Sequence, residues 1–391
     1  MEIQKIMDIN YKVALPQSSN AFRDEVYAPM MELFRKKAAG QLVPGLKRFR
    51  SGAVPRVLLW SVPLLSSKWR AVFSHVDKGQ CPLHCEVIYE VKKRNTADAV
   101  IIFMGGAQDS QTITKKLSPR DPRQPWVIMT FETPLYANNI HKVRYENYNG
   151  LFNRTMTYRQ DADIMVHHGF IVHRNEAHLL PRSWVVPPVM EAINVSRKLA
   201  VAFISNCKAE SNRLQYIQKV EKYAQVDVVG RCGLLKCGDS MYVEHQYNAT
   251  TNQCLKVAGE GYLFFFAFEN NFCKEYVTEK VYNLLYYPIV PVVRGSANYS
   301  ALLPPNSYIN ANNYSPKELA ERLLYLKDHP KEYKKYLEWR KYYQPSTIGG
   351  EIVLCHMCSR LYDKDFFEFK VYEDFEDWFV SKANCMAGLE L

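Results

Sequence analysis

The sequence predicts an α/β protein built as two doubly wound domains. Three features predict it: short apolar runs without polar alternation recur along the chain, mixed stretches separate them, and a paired-proline segment divides the series in two. An unbroken apolar run suits a strand of a parallel sheet covered on both faces. Residues 1–54 come first, irregular and increasingly basic, and read as a solvated tail or linker. Val57–Trp60, Ala99–Phe103, Trp126–Phe131 and Asp163–Val166 then read as strands. Val185-Val-Pro-Pro188 reads as the divider, because paired prolines interrupt helix and sheet alike. In the second series Leu199–Ile204, Val226–Val229, Tyr262–Phe268 and Ile289–Val293 are strands, with helices over 209–223 and 278–287. Ser315-Pro-Lys-Glu318 starts a further helix, with Ser as N-cap, Pro at the first helical position and Glu closing a capping box. Leu319, Leu323 and Leu326 form its apolar face, His329-Pro330 ends it, and another helix covers 331–342. The expected domains are 55–186 and 187–344, followed by a C-terminal tail at 345–391.

Composition narrows the class of function. Hydrophobic residues make up 47% of the 391, which excludes a disordered chain, and 17 glycines with 20 prolines exclude a collagen-like repeat. The excess of 50 basic over 40 acidic residues gives +10 and favours an anionic partner: nucleic acid, anionic lipid or a phosphorylated small molecule. A nucleic-acid partner rests on that charge alone and is not expected, since the basic tail has no interleaved aromatic platform. The most apolar run, Tyr262–Phe268, is far shorter than the ~20 residues of a spanning helix, and Met1–Asn10 carries acids unlike a signal peptide.

The ten cysteines admit two readings. Cys81-Pro-Leu-His-Cys85 and Cys355-His-Met-Cys358 have zinc or redox spacing in a cytosolic protein. Against that stand five N-x-S/T sequons, at Asn153, Asn194, Asn248, Asn298 and Asn313, which with an even cysteine count lean toward the secretory pathway and disulfides.

The densest chemistry is Phe266-Ala-Phe-Glu-Asn-Asn-Phe-Cys-Lys-Glu-Tyr-Val-Thr-Glu-Lys280, where a buried strand ends and charged groups precede a helix. Ligands of open α/β sheets bind beyond strand carboxyl ends, and a helix N-terminus suits a phosphate. Lys280 in that first turn opposes the helix dipole unless an anion lies between them; the alternative is a solvated loop. Arg213, after strand 199–204, is either a bidentate phosphate ligand or a helix-surface arginine. Glu132 follows strand 126–131, with Pro134 stiffening the loop, and is either a general base or a solvated carboxylate. His167-His168-Gly169 lacks a third ligand at metal spacing and reads as a loop. Asp161-Ala-Asp163 has Arg159 beside it as a partner, so no metal site is expected. Neither a dinucleotide fingerprint nor a phosphate loop occurs.

Phe266-Ala-Phe-Glu-Asn-Asn with Glu275-Tyr-Val-Thr-Glu-Lys280 resembles the signature of the α1,3-fucosyltransferases of glycosyltransferase family 10. Phe152-Asn-Arg-Thr-Met-Thr-Tyr-Arg-Gln-Asp-Ala-Asp-Ile164, Ala202-Phe-Ile-Ser-Asn-Cys207 and Phe131-Glu-Thr-Pro134 are similar to three further segments of that family. The resemblance covers about residues 55 to 360 and implies a GT-B fold, two Rossmann-like domains facing a cleft, with acceptor on the first and GDP-fucose on the second. It implies Glu132 as general base and Arg213 and Lys280 as cations for the diphosphate. Glu269, Asn270, Tyr276 and Glu279 match donor-site positions, with Glu279 on the ribose or fucose, and Tyr158 and Arg159 match the cleft side.

The implied reaction is inverting transfer of L-fucose from GDP-fucose to the 3-OH of a GlcNAc in a glycoprotein glycan, without metal or other cofactor. The alternative on the same scaffold is a non-catalytic GDP-sugar or carbohydrate-binding protein. The implied location is the Golgi lumen, as a single-pass membrane protein whose anchor is not visible in this sequence. Cys81 and Cys85 would bridge to Cys355 and Cys358 and return the C-terminal tail to the first domain. The pairing of Cys207, Cys232, Cys237, Cys254, Cys273 and Cys385 stays open, although the cysteine pattern resembles invertebrate and plant members. Two departures stand out: Arg294 before Gly295, where the family has an uncharged residue, and His167-His168-Gly169 in place of a Pro-Tyr-Gly-like loop.

Overall fold

A computed structural model of the chain describes residues 28–41, 54–60, 81–104, 110–141, 143–166, 168–181, 197–237, 252–346 and 350–386. The divider at Val185–Pro188 and the sequons Asn194 and Asn248 lie outside these residues. Strands β1 (Arg56–Trp60), β2 (Glu86–Ile88), β3 (Ala99–Phe103), β4 (Trp126–Met129), β5 (Arg154–Thr157) and β6 (Ile164–Met165) form a sheet in the order β2-β1-β3-β4-β5-β6. Strand β7 (Phe170–His173) stands apart from it. Strands β8 (Lys198–Phe203), β9 (Val226–Val229), β10 (Tyr262–Phe268), β11 (Val290–Arg294) and β12 (Ile309–Asn310) form a second sheet, ordered β12-β11-β10-β8-β9. Every pairing within the two sheets is parallel.

The continuous apolar runs became central strands because both faces are covered. All seven residues of β10 are buried. Phe264, Phe266 and Phe268 face one hydrophobic cluster with Leu319, Leu323 and Leu326 of the helix Pro316–Asp328, while Phe265 and Ala267 face another. That helix carries the capping box its sequence announces: Ser315 Oγ accepts from Glu318 N at 3.3 Å and Glu318 Oε2 from Ser315 N at 2.9 Å.

Four expectations need correction. Residues 1–54 are not wholly a solvated tail, since Ala28–Ala38 is a helix whose Met31 and Phe34, three residues apart, are buried in the core. The helix expected over 209–223 spans only Arg213–Val220, because Asn212 before it takes a left-handed φ of 51°. The helix expected over 278–287 is one α-turn, Glu279–Tyr282, continuing as 3₁₀ over Asn283–Tyr286. The helix expected over 331–342 stops at Lys335, followed by 3₁₀ at Glu338–Lys341. The last two share a cause. Buried Arg340 donates to the carbonyls of Leu285, Tyr286 and Tyr287, satisfying the end of one segment by pulling the other inward.

The end of the chain returns to the first half. Strand β13 (Tyr343–Ser346) pairs antiparallel with β7, and Phe375, Trp378 and Phe379 join the core beside β1, β3 and β4. Disulfides Cys81–Cys355 and Cys85–Cys358 fasten the helix Gly350–Arg360 to the segment before β2. The remaining bridges are Cys207–Cys232, Cys237–Cys254 and Cys273–Cys385, so all ten sulfurs are oxidised and none is left to ligate zinc. Among the described residues no helix is long and apolar enough to cross a membrane.

Candidate active site

The strand order of the second sheet reverses between β8 and β10, the position at which an open α/β sheet leaves a crevice beyond its strand ends. Both candidate cations sit there. Arg213 opens the helix after β8, and its Nη1 donates to the carbonyl of Phe268, the last residue of β10, at 2.9 Å. Its side chain is buried, and burial lowers its pKa; Nε has no hydrogen-bond partner. A buried guanidinium with an unmet donor is costly unless an anion completes it. Asn270 Oδ1 beside it is likewise buried and unpartnered.

Glu269 follows β10 and is 1% exposed. Its carboxylate accepts from Thr278 N at 2.8 Å, from Thr278 Oγ1 at 3.0 Å and from Lys280 Nζ at 3.1 Å. Lys280 also lies 3.6 Å from Glu279. Those carboxylates resolve the conflict between Lys280 and the helix dipole. Burial alone would pull the ammonium pKa down and Arg213 pulls the same way, but Glu269 and Glu279 outweigh them and the net shift is upward.

Two residues outside the expected set hold this crevice. Arg294, marked only as a departure, is 2% exposed and lies between the rings of Tyr216 and Phe272 at 4.6 and 4.7 Å. It donates to the Ser211 carbonyl at 2.9 Å, and Ser211 Oγ donates to the Glu269 carbonyl at 2.7 Å. Gly295 after it leaves no space for a side chain: a Cβ would fall 2.5 Å from Tyr299 Oη. Nothing in the sequence pattern distinguishes Ser211 from an ordinary polar residue, and Arg294 announced only a departure from the family's pattern.

Glu132 comes from the other half, in the loop between β4 and the helix Pro134–His141. Thr133 fixes that loop, its Oγ1 accepting from Tyr136 N at 3.2 Å and donating across to Asn271 Oδ1 at 2.9 Å. Glu132 Oε2 accepts from Tyr276 Oη at 2.8 Å, so the carboxylate of one half and the phenol of the other meet across the cleft. Burial, then the carboxylates of Glu132, Glu269 and Glu279, push the Tyr276 pKa well up, so the phenol stays a donor. Tyr158 packs edge-to-face on Tyr276 at 5.0 Å, its hydroxyl buried and unpartnered. Gln160 N donates to Glu275 Oε2 at 2.8 Å, a further contact between the halves.

Glu132, Tyr158, Arg213, Glu269, Asn270, Tyr276, Glu279 and Lys280 are thus brought together. Arg159 is not. Its guanidinium holds Asp161 through two bonds, donates to the Trp378 carbonyl at 2.7 Å and stacks on the Trp378 ring at 4.8 Å, so it clamps the C-terminal tail instead of lining the cleft. Asn153 is corrected as a glycosylation candidate: it is buried and its Nδ2 donates to the Lys370 carbonyl at 2.7 Å. Asn298 and Asn313 are exposed.

Comparison with known proteins agrees over most of the chain. Residues 53–169 match the family description "Fucosyltransferase, N-terminal", and residues 193–378 match "Glycosyltransferase family 10 (fucosyltransferase) C-term". Alpha-(1,3)-fucosyltransferase C of Drosophila melanogaster is 29% identical over 86% of this chain and 80% of that protein. The Bos taurus 3-galactosyl-N-acetylglucosaminide 4-alpha-L-fucosyltransferase FUT3 is 30% identical over 78% of this chain and 77% of its own length. A crystal structure of an alpha1,3-fucosyltransferase superposes with TM-score 0.53 at 13% identity, covering 83% of this chain and 95% of that one. A second, with GDP, gives 0.52 at 14% identity, covering 89% and 99%. At such identities these two likenesses establish the fold, which is GT-B. Sequence kinship over both halves establishes the rest: the chain belongs to glycosyltransferase family 10, the fucosyltransferases.

Proposed function

We propose that the protein transfers L-fucose from GDP-fucose to the 3-OH of a GlcNAc residue in a glycoprotein glycan, inverting the anomeric centre, with Glu132 as general base. The reading is carried by one observation: the Glu132 carboxylate lies at the cleft, 2.8 Å from Tyr276 Oη, on the segment whose other end bears Lys280. GDP-fucose lies against the second half. Arg213 and Lys280 take up the charge that develops on the departing diphosphate, together with N–H groups at the turn Glu279–Tyr282. Asn270 and Glu279 contact the nucleotide sugar, and the first half holds the acceptor glycan. The acceptor hydroxyl attacks fucose from the face opposite GDP through a transition state resembling an oxocarbenium ion. Glu132 removes the hydroxyl proton as the new C–O bond forms. Closure of the halves excludes water, the competing acceptor. Five disulfides and two exposed sequons support a secretory-pathway location, the Golgi lumen.

The test is Glu132→Gln, assayed with GDP-fucose and a panel of defined N-glycans, the added fucose located by mass spectrometry. Transfer is expected to fall by about 10²- to 10⁴-fold with GDP binding unchanged. Transfer at the wild-type rate would remove Glu132 from the chemistry. A wild type that binds GDP-fucose but transfers to no glycan would return the non-catalytic alternative.

A further inference from the structure

We propose that His168 is a positioning residue: as an imidazolium it ties the Glu132 loop to the turn bearing Glu279 and Lys280, and so sets the affinity for the nucleotide diphosphate. Its Nδ1 lies 3.3 Å from Glu279 Oε2 in the second half, and its Nε2 lies 3.2 Å from the carbonyl oxygen of Phe131, next to Glu132. Both partners are oxygens that only accept. A neutral imidazole has one N–H and would turn a lone pair toward one of them, so only the doubly protonated ring satisfies both contacts. The ring is held edge-on to Phe131 at 5.9 Å and to Tyr276 at 6.5 Å, and its side chain is 12% exposed. Gly169 makes this approach possible, because a Cβ there would fall 2.4 Å from the Tyr282 ring.

The charges around the ring agree. Glu279 and Lys280 face it from the turn and Glu132 from the β4 loop. Glu275, Tyr158 and Tyr282 line the same small cavity. Burial lowers the imidazole pKa and Lys280 opposes protonation, but Glu279 and Glu132 outweigh them and hold it above its ordinary value.

Glu279 lies 3.3 Å from His168 and 3.6 Å from Lys280. When His168 loses its proton, Glu279 loses one positive contact and draws harder on Lys280, pulling that ammonium from the diphosphate. The inference rests on the assignment of Lys280 to the diphosphate.

GDP is the probe, its affinity measured by calorimetry on the full chain from about pH 5 to about pH 9, a range that spans imidazole titration. The wild-type affinity is expected to weaken about tenfold as pH rises through the His168 transition, within the usual range of coupling between sites. His168→Asn, which keeps a donor without the charge, is expected to bind at the weak level with no such transition. In turnover it raises the KM for GDP-fucose far more than it lowers kcat. A His168→Asn protein that keeps the wild-type affinity and pH profile overturns the tie. Lys280→Ala separates the two levels. If it binds GDP as the wild type does, the diphosphate assignment falls and the inference with it; if it binds weakly while His168→Asn matches the wild type, only the tie falls. Should the asparagine variant fold poorly, imidazole titration of the wild type by NMR decides, and a His168 that is neutral below about pH 6.5 overturns the proposal.

Discussion

The Glu132–Tyr276 hydrogen bond is where two separately folded loops agree on one geometry. The proposed base, a carboxylate that accepts a proton in a fixed direction, needs a partner that stays a donor, and the raised pKa of Tyr276 provides that. Tyr276→Phe keeps the ring against Tyr158 and removes only the hydroxyl. Its kcat/KM should fall about tenfold to a hundredfold, the worth of a hydrogen bond to a charged group, with a thermal midpoint near wild type. An unchanged kcat/KM would show that Glu132 is oriented by something else. Part of this site was legible, because Glu132, Arg213, Glu269 and Lys280 lie in segments that follow apolar strands, where a parallel sheet leaves its ligand crevice; the pattern left Glu132 and Arg213 open, and the resemblance gave them roles. One residue was misjudged for a physical reason. Arg159 has a cleft residue's neighbours in sequence, but its partner Trp378 lies 219 positions away. The contacts of His168 could not be read from its loop, since each half contributes one of the acceptors.

At the scale of elements, strands β1, β3, β8 and β10 were readable because their burial is written in apolar side chains. Strand β5, Arg-Thr-Met-Thr, was not, yet all four residues are buried. Arg154 is tolerated inside because its guanidinium donates to the carbonyls of Asn153, Asp365 and Glu368, each at 2.8 Å, and stacks over Phe366 at 5.6 Å. Its polarity is satisfied by tail residues some two hundred positions later, which no local pattern announces. Arg154→Met should therefore destabilise the fold by about 3 kcal/mol, as three carbonyls lose their donor at once, read as a lower urea midpoint. A midpoint within error of wild type would mean the tail stays docked without it. Two of the three helices that proved shorter than their patterns make the same point through Arg340, whose burial draws its pKa down to about 10 while it serves three carbonyls of another element.

At the scale of the molecule, the two sheets were foreseen and the tail was foreseen to return, but the extent of its return was not. It supplies a strand to β7, three aromatic rings to the first core and half of three disulfides, two of them to the first half. A site-specific protease sequence inserted between residues 186 and 190 and then cleaved should leave one species on a non-reducing gel and two after reduction; two species without reductant would mean the bridges do not form. The halves are therefore joined twice along the chain, once before β8 and once after it, where β13 pairs with β7 and two disulfides follow. A body hung from one tether can turn in any direction. A body held at two points loses most of that freedom. For the proposed transfer, with its base on one half and its leaving group on the other, the two joints keep the same two faces opposed.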